Sequence, residues 1–363
     1  MLLADINSVH TRKWVEGLLS KGFVIHLFSL SASKDQYAPH PTNFDYTCLF
    51  ENDTLVKKDT GFAKLNYFKG IGKLKKIKQV FQPELIHAHY ASSYGTLALL
   101  AGLKPYSVSC WGSEVFDFPK RSWLHKILFK KVIASAECVY STSHRMKTEI
   151  ATYIEREIHV IPFGIDTEKF RVQNTRTTRE KLVIGTVKAL EDVYGIDRLL
   201  DAYALFNEQY TGESELRVYG KGSKETKLKL LANKLGISDK VSFCGFVSGK
   251  DLLQAYEQMD VFCALSRQES FGVSVLEASA MNLPVIVSDA GGLPEVVKHN
   301  ETGFIIDGGE PSAVANSMLT LVEPDLRIKM GAAGRAFVIE NYSFQGNLEQ
   351  QLVIYQKQQE HGL

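Results

Sequence analysis

At 363 residues the chain is too long for one ordinary domain and predicts two, each with room for its own core. Its 45% hydrophobic and 23% charged residues exclude a disordered or fibrous chain, and no run of about 18 apolar residues offers a membrane span. The formal net charge of +1 conceals two halves of opposite sign: residues 1–164 hold 21 Lys and Arg against 14 Asp and Glu, the remainder 21 against 27, which points to domains with different partners.

In chain order, a short first strand is followed by apolar, β-branched runs that predict strands near 23–29, 85–87, 105–109, 138–141 and 157–161. Helical periodicity falls near 10–21, 70–80, 93–102, 120–136 and 143–151. Further on, strands are expected near 182–187, 215–219, 241–244, 261–264, 284–287 and 303–306, with helices between most of them. Short apolar strands alternating with helices predict parallel sheets covered on both faces. Ile161-Pro162-Phe163-Gly164-Ile165-Asp166 and the polar run from Arg171 to Thr178 read as a linker. The expectation is an α/β chain of two doubly wound domains in tandem, 1–164 and 165–344, with ligands beyond the carboxyl ends of the strands, in a cleft between the two. The start, Met-Leu-Leu-Ala-Asp-Ile-Asn, carries no signal-peptide pattern. Five scattered cysteines, Cys48, Cys110, Cys138, Cys244 and Cys263, argue against a disulfide framework or structural zinc and for a reducing, cytoplasmic setting.

The most informative stretch runs from Ser266 to Met281. A buried-type strand, Val261-Phe262-Cys263-Ala264-Leu265, enters a polar loop and then a helix opening near Gly272. Such a helix start presents free backbone N–H groups and a positive dipole end, suited to phosphate. Glu269 stands in the loop and Glu277 more than a turn inside the helix, so one carboxylate can face the reacting end of a ligand and the other its far end. Both accept hydrogen bonds from hydroxyl donors such as sugar and ribose rings present. Taken singly, each is better read as ordinary, Glu269 as a helix N-terminal charge and Glu277 as a solvated surface residue.

The E-x7-E pattern of Glu269 and Glu277, in its surroundings, resembles the family-four, group 1 retaining glycosyltransferases of the GT-B fold. The resemblance takes in Gly185-Thr186-Val187-Lys188, Tyr194-Gly195-Ile196-Asp197, Val218-Tyr219-Gly220-Lys221-Gly222, Phe243-Cys244-Gly245-Phe246-Val247 and Gly291-Gly292-Leu293-Pro294-Glu295. In the first half it takes in Ser8-Val9-His10-Thr11-Arg12, His87-Ala88-His89-Tyr90, Trp111-Gly112-Ser113-Glu114 and Pro162-Phe163-Gly164-Ile165-Asp166. It implies two Rossmann-like domains, the first for the acceptor and the second for a nucleotide-sugar donor, with a final helical segment, 345–363, crossing back onto the first. Glu277 would hold the donor ribose, Glu269 the donor sugar, and Ser270, Phe271, Gly272 and Val273 the phosphate region. It implies no metal and no further cofactor, since basic side chains and helix ends meet the diphosphate charge; the sequence has no Asp-x-Asp between strand ends and no His/Cys cluster. Besides carrying Asn7-Ser8-Val9-His10 in place of the family's glycine-rich first loop, the chain departs at two diphosphate positions, where the family places an Arg and a Lys about five residues apart. Here Lys188 stands for the Arg and Tyr194 for the Lys, and a Lys cannot fork onto two phosphate oxygens as Arg does. Lys221 and Arg267 are candidates for the missing charge; the alternatives are a solvated turn lysine and a surface arginine.

The resemblance also places His89 near the donor sugar, while His87 is expected to be satisfied inside its domain. His10, on the first loop, is a candidate acceptor contact. Glu114, where the family has an Asp, either orients the acceptor or caps a loop. Residues 57–78 hold eight lysines among Phe62, Leu65, Tyr67, Phe68, Ile71, Leu74 and Ile77, and 120–131 hold Lys120, Arg121, Lys126, Lys130 and Lys131 around Trp123, Leu124, Ile127, Leu128 and Phe129. Such segments suit an anionic membrane surface or form ordinary amphipathic helices with their lysines in water. No nucleic-acid motif accompanies the charge, so no nucleic-acid partner is expected. The expected function is retaining transfer of an α-linked sugar from a UDP- or GDP-sugar to a glycan or lipid-linked acceptor in cell-surface polysaccharide synthesis, with Glu269, His89 and Lys188 as the catalytic set. The enzyme would be cytoplasmic and peripheral to the inner face of the cell membrane. The alternative is a non-catalytic sugar-nucleotide-binding subunit, or another GT-B activity such as an epimerase.

Overall fold

Short runs of β-branched and apolar residues build two separate parallel sheets. The computed structural model describes residues 1–34, 37, 42–51, 68–172 and 180–361. The chain divides into one unit of residues 1–163 with 347–363 and a second of residues 164–346.

The first sheet has seven strands: β1 (Leu2–Leu3), β2 (Ile25–Ser31), β3 (Phe44–Phe50), β4 (His87–His89), β5 (Ser107–Cys110), β6 (Val139–Ser141) and β7 (His159–Val160). Their order is β3-β2-β1-β4-β5-β6-β7, and every pairing is parallel. The helices are α1 (Val9–Ser20), α2 (Phe68–Phe81), α3 (Thr96–Leu100), α4 (Ser113–Phe116), α5 (Trp123–Ser135) and α6 (His144–Ala151). Serines fix three of their starts: Ser8, Ser122 and Ser143 accept from the N–H three residues on, satisfying an otherwise orphaned donor. Leu3, Phe28, Ala88, Val108 and Val139 lie at the centre of the core.

Three details differ from the sequence expectation. β3 was not expected. β4 lies two residues later than the apolar run at 85–87, so His89 ends the strand instead of following it. The helix expected over 93–102 is cut to α3 by a wide π-type turn over Tyr90–Gly95, entered with Tyr90 at φ +70°.

The second sheet has six strands: β8 (Leu182–Val187), β9 (Ser214–Tyr219), β10 (Val241–Gly245), β11 (Val261–Ala264), β12 (Val285–Ser288) and β13 (Gly303–Ile306). They are parallel in the order β10-β9-β8-β11-β12-β13. Between and after them run α7 (Ile196–Gln209), α8 (Glu225–Lys234), α9 (Gly249–Glu257), α10 (Val273–Ala280), α11 (Pro311–Thr320) and α12 (Pro324–Tyr342). Ile184, Leu200, Phe206, Val261 and Ile286 are fully buried in this unit's own core. The linker residues 173–179 lie outside the described residues.

The last helix, α13 (Phe344–His361), supplies most of the returning segment of the first unit. Its Tyr355 hydroxyl bonds His87 Nδ1 at 2.5 Å, and Gln358 Nε2 donates to Ser107 Oγ at 2.9 Å and to Glu137 at 2.7 Å. Among the described residues no helix is long and apolar enough to cross a membrane.

In both sheets the chain runs outward from a central strand, then returns to build the other side. The reversals fall between β1 and β4 and between β8 and β11. Loops leaving these neighbouring strands diverge, so each sheet has a crevice at the carboxyl ends of that pair.

Candidate active site

Two of the candidates flank the reversal point of the second sheet. Lys188 directly follows β8, and Glu269 lies in the loop from β11 to α10. Neighbouring loops clamp the backbone of both. Gly220 (φ +151°) approaches so closely that an added Cβ would lie 1.9 Å from the Lys188 carbonyl oxygen. Gly291 (φ +58°) stands in the same relation to the Glu269 carbonyl, again at 1.9 Å. No other residue type fits either place.

The clamped residues meet each other: Lys188 Nζ pairs with Glu269 Oε2. Their side chains are only 9% and 13% exposed, so the pair is poorly screened by water. Ser266 Oγ donates to the same carboxylate oxygen at 3.4 Å. The resemblance assigns the two side chains to different parts of a donor; here they neutralise one another.

Beyond the loop, α10 opens at Gly272 with no side-chain cap, leaving its first N–H groups for an anion. Phe271 is 1% exposed and packs against Tyr342, so only its backbone can serve a ligand. Ser270 and Val273 are half-buried on either side of the turn. Glu277, in the middle of α10, accepts a 2.8 Å hydrogen bond from the Tyr256 hydroxyl. Tyr256 is fully buried, and burial, then the nearby Glu277 charge, hold its phenol well above the usual range. It therefore stays a donor. Tyr256 was not foreseen, and nothing in its spacing from Glu277 marks it.

The two candidate supplementary cations differ. Arg267 is engaged in its own unit: its guanidinium forks onto Asp197 at 2.9 and 2.6 Å and also donates to the Asp192 carbonyl. The fork fits the Asp197 carboxylate at the start of α7. Lys221 is exposed and its side chain makes no hydrogen bond or ion pair among the described residues.

The reversal point of the first sheet gathers His10, His89, Trp111, Glu114 and Phe163. His10 lies in the first turn of α1 rather than in the preceding loop. Its ring stacks on Phe163 at 3.9 Å, and Trp111 lies 4.3 Å from His89. Burial, then Lys13, pushes His10 down to about 3; burial, then His87 and His10, lowers His89 well below the usual range. Both rings are neutral at pH 7 and act through hydrogen bonds rather than charge. Each keeps a buried Nδ1 without a partner among the described residues, as does Glu114 Oε2. The other Glu114 oxygen accepts from the Trp111 N–H, the loop-capping alternative. Burial, opposed by backbone hydrogen bonds, raises Glu114 to about 7. His87 bonds Tyr355 and Ser109, the internal satisfaction expected of it. Trp111 and Phe163 appeared in the sequence only as parts of resembling segments.

Of the basic stretches, residues 57–67 lie outside the described residues. In α2, Lys69, Lys75 and Lys76 are exposed, while Lys73 and Lys78 donate to the carbonyls of Cys48 and Lys104. In α5, Trp123, Leu124 and Ile127 are 70%, 59% and 43% exposed.

Two family descriptions match the chain: Glycosyl transferases group 1 over residues 166–337 and Glycosyl transferase 4-like over residues 1–143. A GDP-mannose-dependent alpha-(1-6)-phosphatidylinositol monomannoside mannosyltransferase of Mycobacterium tuberculosis is 32% identical over 197 residues, 50% of this chain and 51% of that protein. The match thus spans about half the length of that curated relative. An N-acetyl-alpha-D-glucosaminyl L-malate synthase of Bacillus anthracis is 24% identical over 352 residues, 93% of this chain and 90% of that one. Among solved structures, sucrose-phosphate synthase from Thermosynechococcus elongatus superposes with a TM-score of 0.81 at 19% identity, covering 98% of both chains. Anabaena Alr3699/HepE in complex with UDP and glucose does so at 0.77 and 17%, covering 98% of both. At those identities the structural likeness speaks for the fold.

Proposed function

We infer that this chain, a member of the group 1 family of glycosyltransferases with the GT-B fold, transfers a sugar from a UDP- or GDP-sugar to a hydroxyl of a glycan or lipid-linked acceptor. The observation that carries this reading is the Lys188–Glu269 pair at the reversal point of the second sheet, with Glu277 held by Tyr256 further along α10. A nucleotide-sugar offers what those groups need: ribose hydroxyls for Glu277, sugar hydroxyls for Glu269, and a diphosphate for Lys188, Lys221 and the free N–H groups of α10. The neutral His89 supplies a hydrogen bond to the donor sugar. His10 and Glu114 serve the acceptor side.

Transfer then proceeds with retention. The bond between anomeric carbon and phosphate oxygen breaks, the acceptor oxygen bonds to the same face, and its proton passes to the leaving diphosphate. Protein-borne charge replaces a metal ion. The basic, apolar start of α5 holds the enzyme to an anionic membrane on the cytoplasmic side, near a lipid-linked acceptor of cell-surface polysaccharide synthesis.

The experiment is incubation with UDP- and GDP-sugars, with and without EDTA, following released sugar and the anomeric configuration of any product. Slow donor hydrolysis that survives EDTA and a retained configuration are expected. Binding of a nucleoside diphosphate with no turnover of any such donor would leave a non-catalytic binding subunit. Activity lost in EDTA and restored by magnesium or manganese would overturn the metal-free mechanism.

A further inference from the structure

Lys188 has a second neighbour besides Glu269. Its ammonium lies 5.2 Å from the centroid of the Tyr194 ring, within the distance at which a ring face attracts a cation, and more strongly where water is scarce. The ring stands on a fixed support. Tyr194 ends a short turn, Asp192–Tyr194, and Arg267 ties that turn to the β11 loop. The Arg267 backbone N–H donates to the Val193 carbonyl at 2.7 Å. Its guanidinium binds the Asp192 carbonyl at 2.7 Å and forks onto Asp197.

The two contacts of Lys188 respond differently to a donor. Once sugar hydroxyls donate to Glu269, that carboxylate is shared and the ion pair weakens. The ring contact does not depend on which anion the ammonium faces. We propose that Tyr194 is a positioning residue for Lys188, its ring face keeping the ammonium at the end of β8 while the anionic partner changes from Glu269 to the donor diphosphate. This rests on the donor reading of the site. It gives Tyr194 a task through its π-face instead of a charge of its own, and gives Arg267 the task of bracing that ring.

The test is a double-mutant cycle on the intact chain, measuring UDP and GDP affinity by calorimetry beside uridine and guanosine, which lack the phosphates. Tyr194→Leu should weaken nucleoside diphosphate binding by about 2- to 30-fold and leave nucleoside binding unchanged, which also reports that the variant is folded. Tyr194→Phe, which keeps the ring face, should restore the affinity. In a Lys188→Ala background Tyr194→Leu should cost nothing further. Equal losses in both backgrounds, no loss at all, or a loss in Tyr194→Phe as large as in Tyr194→Leu would overturn the proposal. If the unaltered chain binds no nucleoside diphosphate, the donor reading itself fails, an outcome distinct from these.

Discussion

Glu277 and Glu269 carry the same carboxylate into different company, a phenol for one and an ammonium for the other. If Glu277 holds the donor ribose as proposed, Glu277→Ala should weaken UDP or GDP binding by about 1.5–3 kcal/mol, roughly ten- to hundredfold. Tyr256→Phe should cost less, since it removes one hydrogen bond to the carboxylate and leaves the carboxylate itself in place. Calorimetric affinities decide it, and an unchanged affinity in Glu277→Ala would remove that residue from the site. Glu114 offers a different test. Its carboxyl is raised to about 7 by burial, above the ordinary value near 4.3. The unfolded chain therefore loses this proton at lower pH than the folded one. The stabilisation is complete below the unfolded value and is lost as pH rises through about 7. Glu114→Gln should gain on the unaltered chain by up to about 3 kcal/mol between pH 4.5 and 8, read from denaturant melts across that range. A constant difference would show that Glu114 does not titrate there. The buried neutral histidines His10 and His87, each lowered to about 3, work the other way and remove stability as pH falls below their unfolded value. The two glutamates stood out only through the resemblance of the whole motif set, since singly each reads as an ordinary helix-start or surface charge. The partners did not, since Lys188 meets Glu269 across 81 positions only through the placing of β8 beside β11.

Element boundaries in the second sheet follow the apolar runs closely, because β8, β11 and β12 are covered on both faces and read as unbroken hydrophobic stretches. β3 escaped that criterion for a physical reason. It is an edge strand, paired with β2 alone and half-exposed along its length, so it carries no such run. β4 was misplaced because its histidines are polar yet buried, paired in register with Ser107 and Ser109. The basic segment of α5 was legible as amphipathic, but its apolar residues divide in a way composition could not show. Phe129 is buried in the core, whereas Trp123, Leu124 and Ile127 face outward. An exposed Trp-Leu pair at a helix start, beside Arg121, Lys130 and Lys131, suits the interface of an anionic bilayer. Replacing Trp123 and Leu124 by Ser should therefore reduce sedimentation with anionic vesicles at least tenfold, with no change in turnover of a short soluble acceptor. Equal binding to neutral vesicles, or full binding by the variant, would leave this turn as ordinary surface.

At the scale of the whole chain, the expectation of two domains from length and charge meets an asymmetry that neither quantity contains. Residues 164–346 form one unbroken unit, whereas the other unit needs both ends of the chain. Without α13, His87 would lose the Tyr355 hydroxyl and Ser107 the Gln358 amide, leaving buried polar groups unpaired at about 1–3 kcal/mol each. A fragment of residues 164–346 should therefore fold alone and bind nucleoside diphosphate with the affinity of the intact chain, while residues 1–163 alone should be proteolysed rapidly. In the intact chain a nucleoside diphosphate at about 100 times its dissociation constant should add about 2.7 kcal/mol to the unit that holds it. For a unit of this size that raises its melting temperature by roughly 5–10 °C. The protection should fall on the second unit, because the groups proposed to meet the nucleotide, Lys188, Glu269, Glu277 and the start of α10, all belong to it. Limited proteolysis across a temperature ramp, with cleavage sites mapped by mass, separates the two units. Protection confined to the first unit, or an isolated 164–346 fragment that folds but does not bind, would take the donor site away from β8, β11 and α10.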